Sequence, residues 1–264
     1  MFAWLRERRR QKILEEPFPR QWREILDRKV VHYIHLDDEE KTHLEQLVQV
    51  FIAEKNFEAL GGLELTDQVR VLVSAQACML LLGLSHDLYR KVDSVLIYPS
   101  TVVRPARTLG NFVSGKLVHK GSMPLLGEAH MNGPVILVWD EVKRGAFHPK
   151  RGHNVVYHEF AHKLDMLDGS ADGAPPLHGR EQYENWERVC AKEYETLKRR
   201  ATRGQRTFLD PYGATNPAEF FAVATEYFFD RPVRMKKRRR ELYDILAGFY
   251  NQDPATRVKG NRKH

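Results

Sequence analysis

Apolar residues recur at helical spacing along most of this chain, interrupted by prolines, glycines and a few β-branched runs. Leu44, Leu47, Val48 and Phe51 follow the acidic turn Asp37-Asp38-Glu39-Glu40, with Leu36 before it. That pattern predicts a helix ending before Gly61-Gly62. Thr66 is placed to cap the next helix, which runs through Gln68, Val69, Leu72 and Val73 into the Cys78–Leu84 region, with Gly83 near its end. Val71 to Leu84 is the most apolar run, but at about 14 residues, with Ser74 and Gln76 inside it, it falls short of the roughly 20 that cross a bilayer. It predicts a buried core helix. Residues 1–30 look helical and basic, broken at Glu16-Pro17-Phe18-Pro19, and an amphipathic helix restarts from Arg20 to Asp27. The aromatics Phe2, Trp4, Phe18 and Trp22 are expected to pack on the main body.

After residue 92 the pattern changes to strand. Val95-Leu96-Ile97-Tyr98 and Thr101-Val102-Val103 come first, then a Gly-rich loop from Gly110 to Gly127, then the apolar run Gly133 to Asp140. This last strand is either purely structural or a sheet edge along which an extended peptide adds. Gly145 to Gly152 reads as a loop. Asn154 can cap a helix on which Val156, Phe160, Leu164 and Leu167 form an apolar face, ended by Gly169. From Asn216 to Phe229 apolar side chains surround the whole circumference, which predicts a buried helix. The expected fold class is α+β, mainly helical with a small mixed β-sheet.

Composition narrows the setting. Hydrophobic residues at 42% and charged residues at 29% fit a folded soluble protein rather than a disordered one. The net charge of +7 reads as a solvated basic surface, and Lys236-Lys237-Arg238-Arg239-Arg240 as a helix face or C-terminal charge cluster. No zinc-knuckle, RRM or helix-turn-helix signature accompanies it, so direct nucleic-acid reading is not expected. Cys78 and Cys190 match no metal or redox spacing and read as reduced, packed thiols. The first ten residues are too charged for a secretory signal. A cytoplasmic protein without membrane attachment is expected.

The chemistry concentrates at His158-Glu159-Phe160-Ala161-His162, the H-E-x-x-H spacing. On a helix, positions i and i+4 lie one above the other, so both imidazoles can reach one metal ion. Glu159 sits beside them, able to contact a water at the metal without being a ligand. Catalytic zinc commonly has three protein ligands. Asp168 is one candidate for the third, although the glycine turn of the metzincin pattern is missing before it; Asp165 suits a hydrogen bond to a ligand imidazole. Glu219 and Glu226, seven apart on the buried helix, offer the alternative, because a buried carboxylate is costly unless paired or bound to metal. Glu219 could also be a capping-box partner of Asn216. A glutamate from a second, antiparallel helix is how gluzincins close a zinc site, and Glu219 is preferred on that ground, with Glu226 in a salt bridge or behind a ligand.

The segments from Asn154 to Gly169 and from Tyr212 to Ala222, together with Val95–Ser100 and Gly133–Asp140, resemble the Mlc titration factor A family of bacterial zinc peptidases. The resemblance covers about residues 15–250. It implies a two-helix, gluzincin-like zincin core in which His158, His162 and Glu219 bind Zn2+, Glu159 is the catalytic base and Tyr212 an active-site tyrosine. It implies an aminopeptidase-like zinc metallopeptidase acting on peptide or protein substrates. It also implies binding of an Mlc-like transcriptional repressor that relieves repression of sugar uptake; the alternative is a regulatory binding protein whose peptidase site is latent. The domain organisation expected is an N-terminal helical region (1–90) packed on a metallopeptidase core (91–250), followed by a basic C-terminal tail (251–264).

Overall fold

The computed structural model describes residues 2–100, 133–149 and 152–260. Three helices open the chain: α1 (Phe2–Leu14), α2 (Arg20–Lys29) and α3 (Asp38–Glu54). The start of α3 is a complete capping box, in which Asp37 accepts from the Glu40 N–H at 2.8 Å and Glu40 reaches back to the Asp37 N–H at 3.2 Å. Strand β1 (Asn56–Ala59) follows, then α4 (Asp67–Met79), capped by Thr66, and strand β2 (Ser94–Tyr98). Val71 to Leu81 is buried throughout, as its apolar content predicts, although the helix itself stops at Met79. Phe18 and Trp22 pack against the core edge-to-face, with centroids 5.8 Å apart. Trp4 does not; it is 62% exposed.

Strand β3 (Val135–Val138) completes a three-stranded sheet in the order β1-β2-β3. Both pairings are parallel, with Phe57, Val95 and Val135 aligned across the sheet, so among the described residues the sheet is parallel rather than mixed. Strand β1 carries none of the β-branched pattern that marks a strand; its pairing with β2 across the α4 crossover recruits it. Where a strand is expected to Asp140, helix α5 (Trp139–Phe147) has already begun, and it takes up the first residues of the expected Gly145–Gly152 loop. The expected strand at Thr101–Val103 and the loop from Gly110 to Gly127 lie outside the described residues.

Helix α6 (Val155–Asp165) comes next, followed by the long α7 (Arg180–Thr202) and α8 (Pro217–Asp230). Then come α9 (Pro232–Arg238), α10 (Arg240–Tyr250) and α11 (Pro254–Gly260). The basic tail expected from residue 251 is thus helical over most of its described length. Ala255 is buried, and the Arg257 guanidinium pairs with Glu40 at 2.6 Å. One continuous core runs from Leu26 to Ala255. Within the described residues no helix is long and apolar enough to cross a membrane.

Candidate metal centre

Helix α6 is set in place at its first turn. Asn154 accepts from the N–H groups of Val156 and Tyr157, both at 3.1 Å, satisfying two donors that a helix start otherwise leaves orphaned. Val156, Phe160 and Leu164 then face the core, fully buried, and the histidines emerge on the flank toward α8. Helix α8 is buried over nearly its whole length. Asn154 and His158, early in α6, meet Glu226 late in α8, while His162 meets Glu219 near its start. The two helices therefore run antiparallel.

Three donor atoms converge between them. His158 Nε2 lies 3.0 Å from Glu219 Oε2, His162 Nε2 lies 3.2 Å from His158 Nε2, and His162 Nε2 lies 3.6 Å from Glu219 Oε2. Tetrahedral zinc with bonds of 2.0–2.1 Å spaces its donors about 3.3 Å apart, so this set fits zinc as it stands. Charge points the same way. Burial disfavours a charged His158, but Glu219 and Glu226 outweigh it and raise its pKa well above the ordinary imidazole range. Burial likewise pushes Glu219 up, while its bonds to His158 and His162 hold it far below the ordinary carboxylate range. The two carboxylates call for positive charge in the cage, which a proton on His158 or a divalent cation supplies.

The alternatives left open by sequence separate cleanly. The Asn216 side chain accepts from the Glu219 N–H at 2.9 Å, so the cap exists, but the Glu219 carboxylate turns to the imidazoles instead of back to Asn216. Asp168 is exposed and accepts from the N–H and hydroxyl of Ser170, both at 3.0 Å; it is not part of the donor cluster. Asp165 does not hold an imidazole either. It accepts from the Gly173 N–H at 2.9 and 3.1 Å, fastening the loop after α6, and burial raises its pKa to about 7. Gly173 has φ +81° and packs so tightly that an added Cβ would lie 2.4 Å from the Pro217 carbonyl oxygen, which seats this loop on the start of α8.

Glu226 sits behind the cluster, 2% exposed. One oxygen lies 2.7 Å from His158 Nδ1; the other accepts from the Asn154 N–H at 2.6 Å and lies 3.5 Å from His153 Nδ1. His153 has no motif to announce it in sequence; its bond to Glu226 raises its pKa. Glu159 is half-buried beside the two histidines. Tyr212 stands at the mouth on a short turn (Pro211–Ala214), its N–H held by Asp210 at 2.9 Å and its ring centroid 6.0 Å from that of His158. Desolvation and the nearby Glu219 carboxylate raise the pKa of its phenol above the ordinary range.

A helix bearing H-E-x-x-H, with a glutamate supplied by a second, antiparallel helix, is an arrangement of the metallopeptidase class. The description of the glucose-regulated metallo-peptidase M90 family matches residues 4–251, and the chain belongs to that family. It is 36% identical over 253 residues to an uncharacterized protein of Synechocystis, covering 95% of this chain and 90% of that one. It is 32% identical to the Mlc titration factor A of Serratia proteamaculans, covering 85% and 84% of the two chains. With the Mlc titration factor A of Escherichia fergusonii it shares 30% identity, over 91% and 89%. The family match starts nearer the N-terminus than the resemblance over about residues 15–250 indicates.

Proposed function

We propose that the protein is a zinc aminopeptidase whose metal is held by His158, His162 and Glu219. The observation that carries this is the convergence of three donor atoms at 3.0–3.6 Å from two buried helices. A zinc ion in this cage would supply Lewis acidity, acidifying a water molecule toward neutral pH and polarising the scissile carbonyl. Glu159, next to His158, takes the proton from the attacking water and passes it to the leaving amine. Tyr212, a phenol protonated throughout the neutral range, donates its O–H to the oxyanion that develops on the substrate. Strand β3 ends the sheet among the described strands, and Lys163 Nζ of α6 donates to the Gly133 carbonyl ahead of it at 2.9 Å. An extended substrate laid along β3 would run beside α6.

The test uses purified protein, its metal content and its hydrolysis of aminoacyl p-nitroanilides before and after chelation. Stoichiometric zinc, activity lost on chelation and restored by zinc, and no turnover of N-acetylated substrates are expected. Absence of bound zinc after reconstitution sinks the metal assignment, and equal turnover of blocked substrates sinks the aminopeptidase one. A second role is favoured by the name Mlc titration factor A borne by relatives at 30–32% identity: binding of an Mlc-like transcriptional repressor. A variant lacking zinc that still binds such a repressor would separate the two functions.

A further inference from the structure

Behind the candidate centre a buried polar chain starts on α4, the most apolar helix of the N-terminal half. Gln76 is fully buried there. Its Nε2 donates to the carbonyls of Leu72 at 3.0 Å and Val142 at 3.3 Å, and its Oε1 accepts from Asn154 Nδ2 at 2.9 Å. Asn154, also fully buried, spends Oδ1 on capping α6 and its backbone N–H on Glu226. Helix α5 closes on the same link: a Cβ at Gly145 would lie 2.9 Å from Asn154 Cγ and Nδ2 and 3.0 Å from Gln76 Oε1. A buried amide without partners costs about 2–7 kcal/mol; here each carboxamide has a partner at both ends.

The direction of every bond in this chain is forced. Backbone carbonyls only accept, so the amide group of Gln76 must face Leu72 and Val142 and its oxygen must face Asn154. The Asn154 oxygen must face the N–H groups it caps, so its amide group faces Gln76. An ionised Glu226 only accepts. Its bond to His158 therefore requires a proton on Nδ1, which leaves Nε2 aimed at His162 and Glu219. We propose that Gln76 and Asn154 are positioning residues that act through Glu226 to hold the His158 ring in its metal-binding orientation, with the proton on Nδ1. The benefit to metal binding rests on the zinc assignment above; the proton position does not.

The experiment measures the zinc dissociation constant by competition with a chromogenic chelator, and the 15N–1H signal and exchange rate of the His158 Nδ1 proton by NMR, with circular dichroism as a check on folding. The wild-type protein should show a slowly exchanging Nδ1 proton with and without zinc. Glu226→Ala should weaken zinc binding about 100-fold and Gln76→Met about 10-fold, the range expected when support behind a ligand is lost. Both should speed Nδ1 exchange. A folded Gln76→Met variant with zinc affinity within twofold of wild type and unchanged exchange overturns the proposal. Should that variant not fold, a wild-type His158 carrying no proton on Nδ1 overturns it without any substitution. Wild-type protein that has the Nδ1 proton but binds no zinc would instead sink the zinc assignment.

Discussion

His158 and Tyr212 face each other across the candidate centre with centroids 6.0 Å apart, yet their surroundings are opposite. His158 is 5% exposed, on a helix locked between α4, α5 and α8, and both of its ring nitrogens are engaged. Tyr212 is 49% exposed on a four-residue turn held by Asp210 and by the Thr215 hydroxyl, which donates to its carbonyl at 2.7 Å. The metal-facing half is preorganised before any ligand arrives. The other half is left open, and in the proposed reading the substrate enters there, beside Tyr212 and Glu159. Preorganised donors lose little reorganisation energy on binding metal, while an open face is what a substrate needs in order to enter.

This contrast can be broken from either side. The largest effect expected is from Glu159→Gln, which should lower kcat about 10⁴-fold while leaving zinc content unchanged by metal analysis. Activity near wild type in that variant would falsify the assignment of Glu159 as base. Glu219→Ala acts on the other half. It should weaken zinc binding on the order of 10³-fold, about one ligand's share of a zinc site's binding energy, read by chelator competition. Tyr212→Phe should cost about 100-fold in kcat, with little change in zinc affinity or melting temperature, because the ring is exposed and its backbone contacts persist. A Tyr212→Phe enzyme that loses zinc would show that the two halves are not independent.

The smallest effect concerns the loop that Asp165 fastens beside the centre. Its folded pKa of about 7 lies above the unfolded value, so between the two the folded state holds more protons. Stability is therefore lost as pH rises toward and through 7, by about 2 kcal/mol or roughly 5 °C in melting temperature between pH 5 and 8. Asp165→Asn should flatten that decline. An unchanged slope in the variant would assign it to another group, Asp230 being the next to examine, since burial raises its pKa to about 6.

What could be seen in sequence was whatever the chain builds from near neighbours. The caps at Thr66, Asn154 and Asn216 form as their residue types direct, and two histidines four apart must share a helix flank. Strand β1 escaped notice because Asn56-Phe57-Glu58-Ala59 becomes a strand only through its pairing with β2. Trp139 and Asp140 continue a β-like apolar run, yet they begin α5. Gln76 stood out only as a polar residue in an apolar stretch, and nothing local named its partners.

The sequence by itself determined the amphipathic helices, the H-E-x-x-H spacing and the pairing of Glu219 with Glu226 on one stripe, because each follows from the 3.6-residue period within a single element. Only the tertiary structure decided which carboxylate meets the histidines, that Asp165 closes a loop rather than holding an imidazole, and that Gln76 is linked to His158 through two intermediates. Those outcomes depend on how α4, α6 and α8 pack, and hydrogen bonds between residues 61 to 78 positions apart are set by that packing rather than by local propensity.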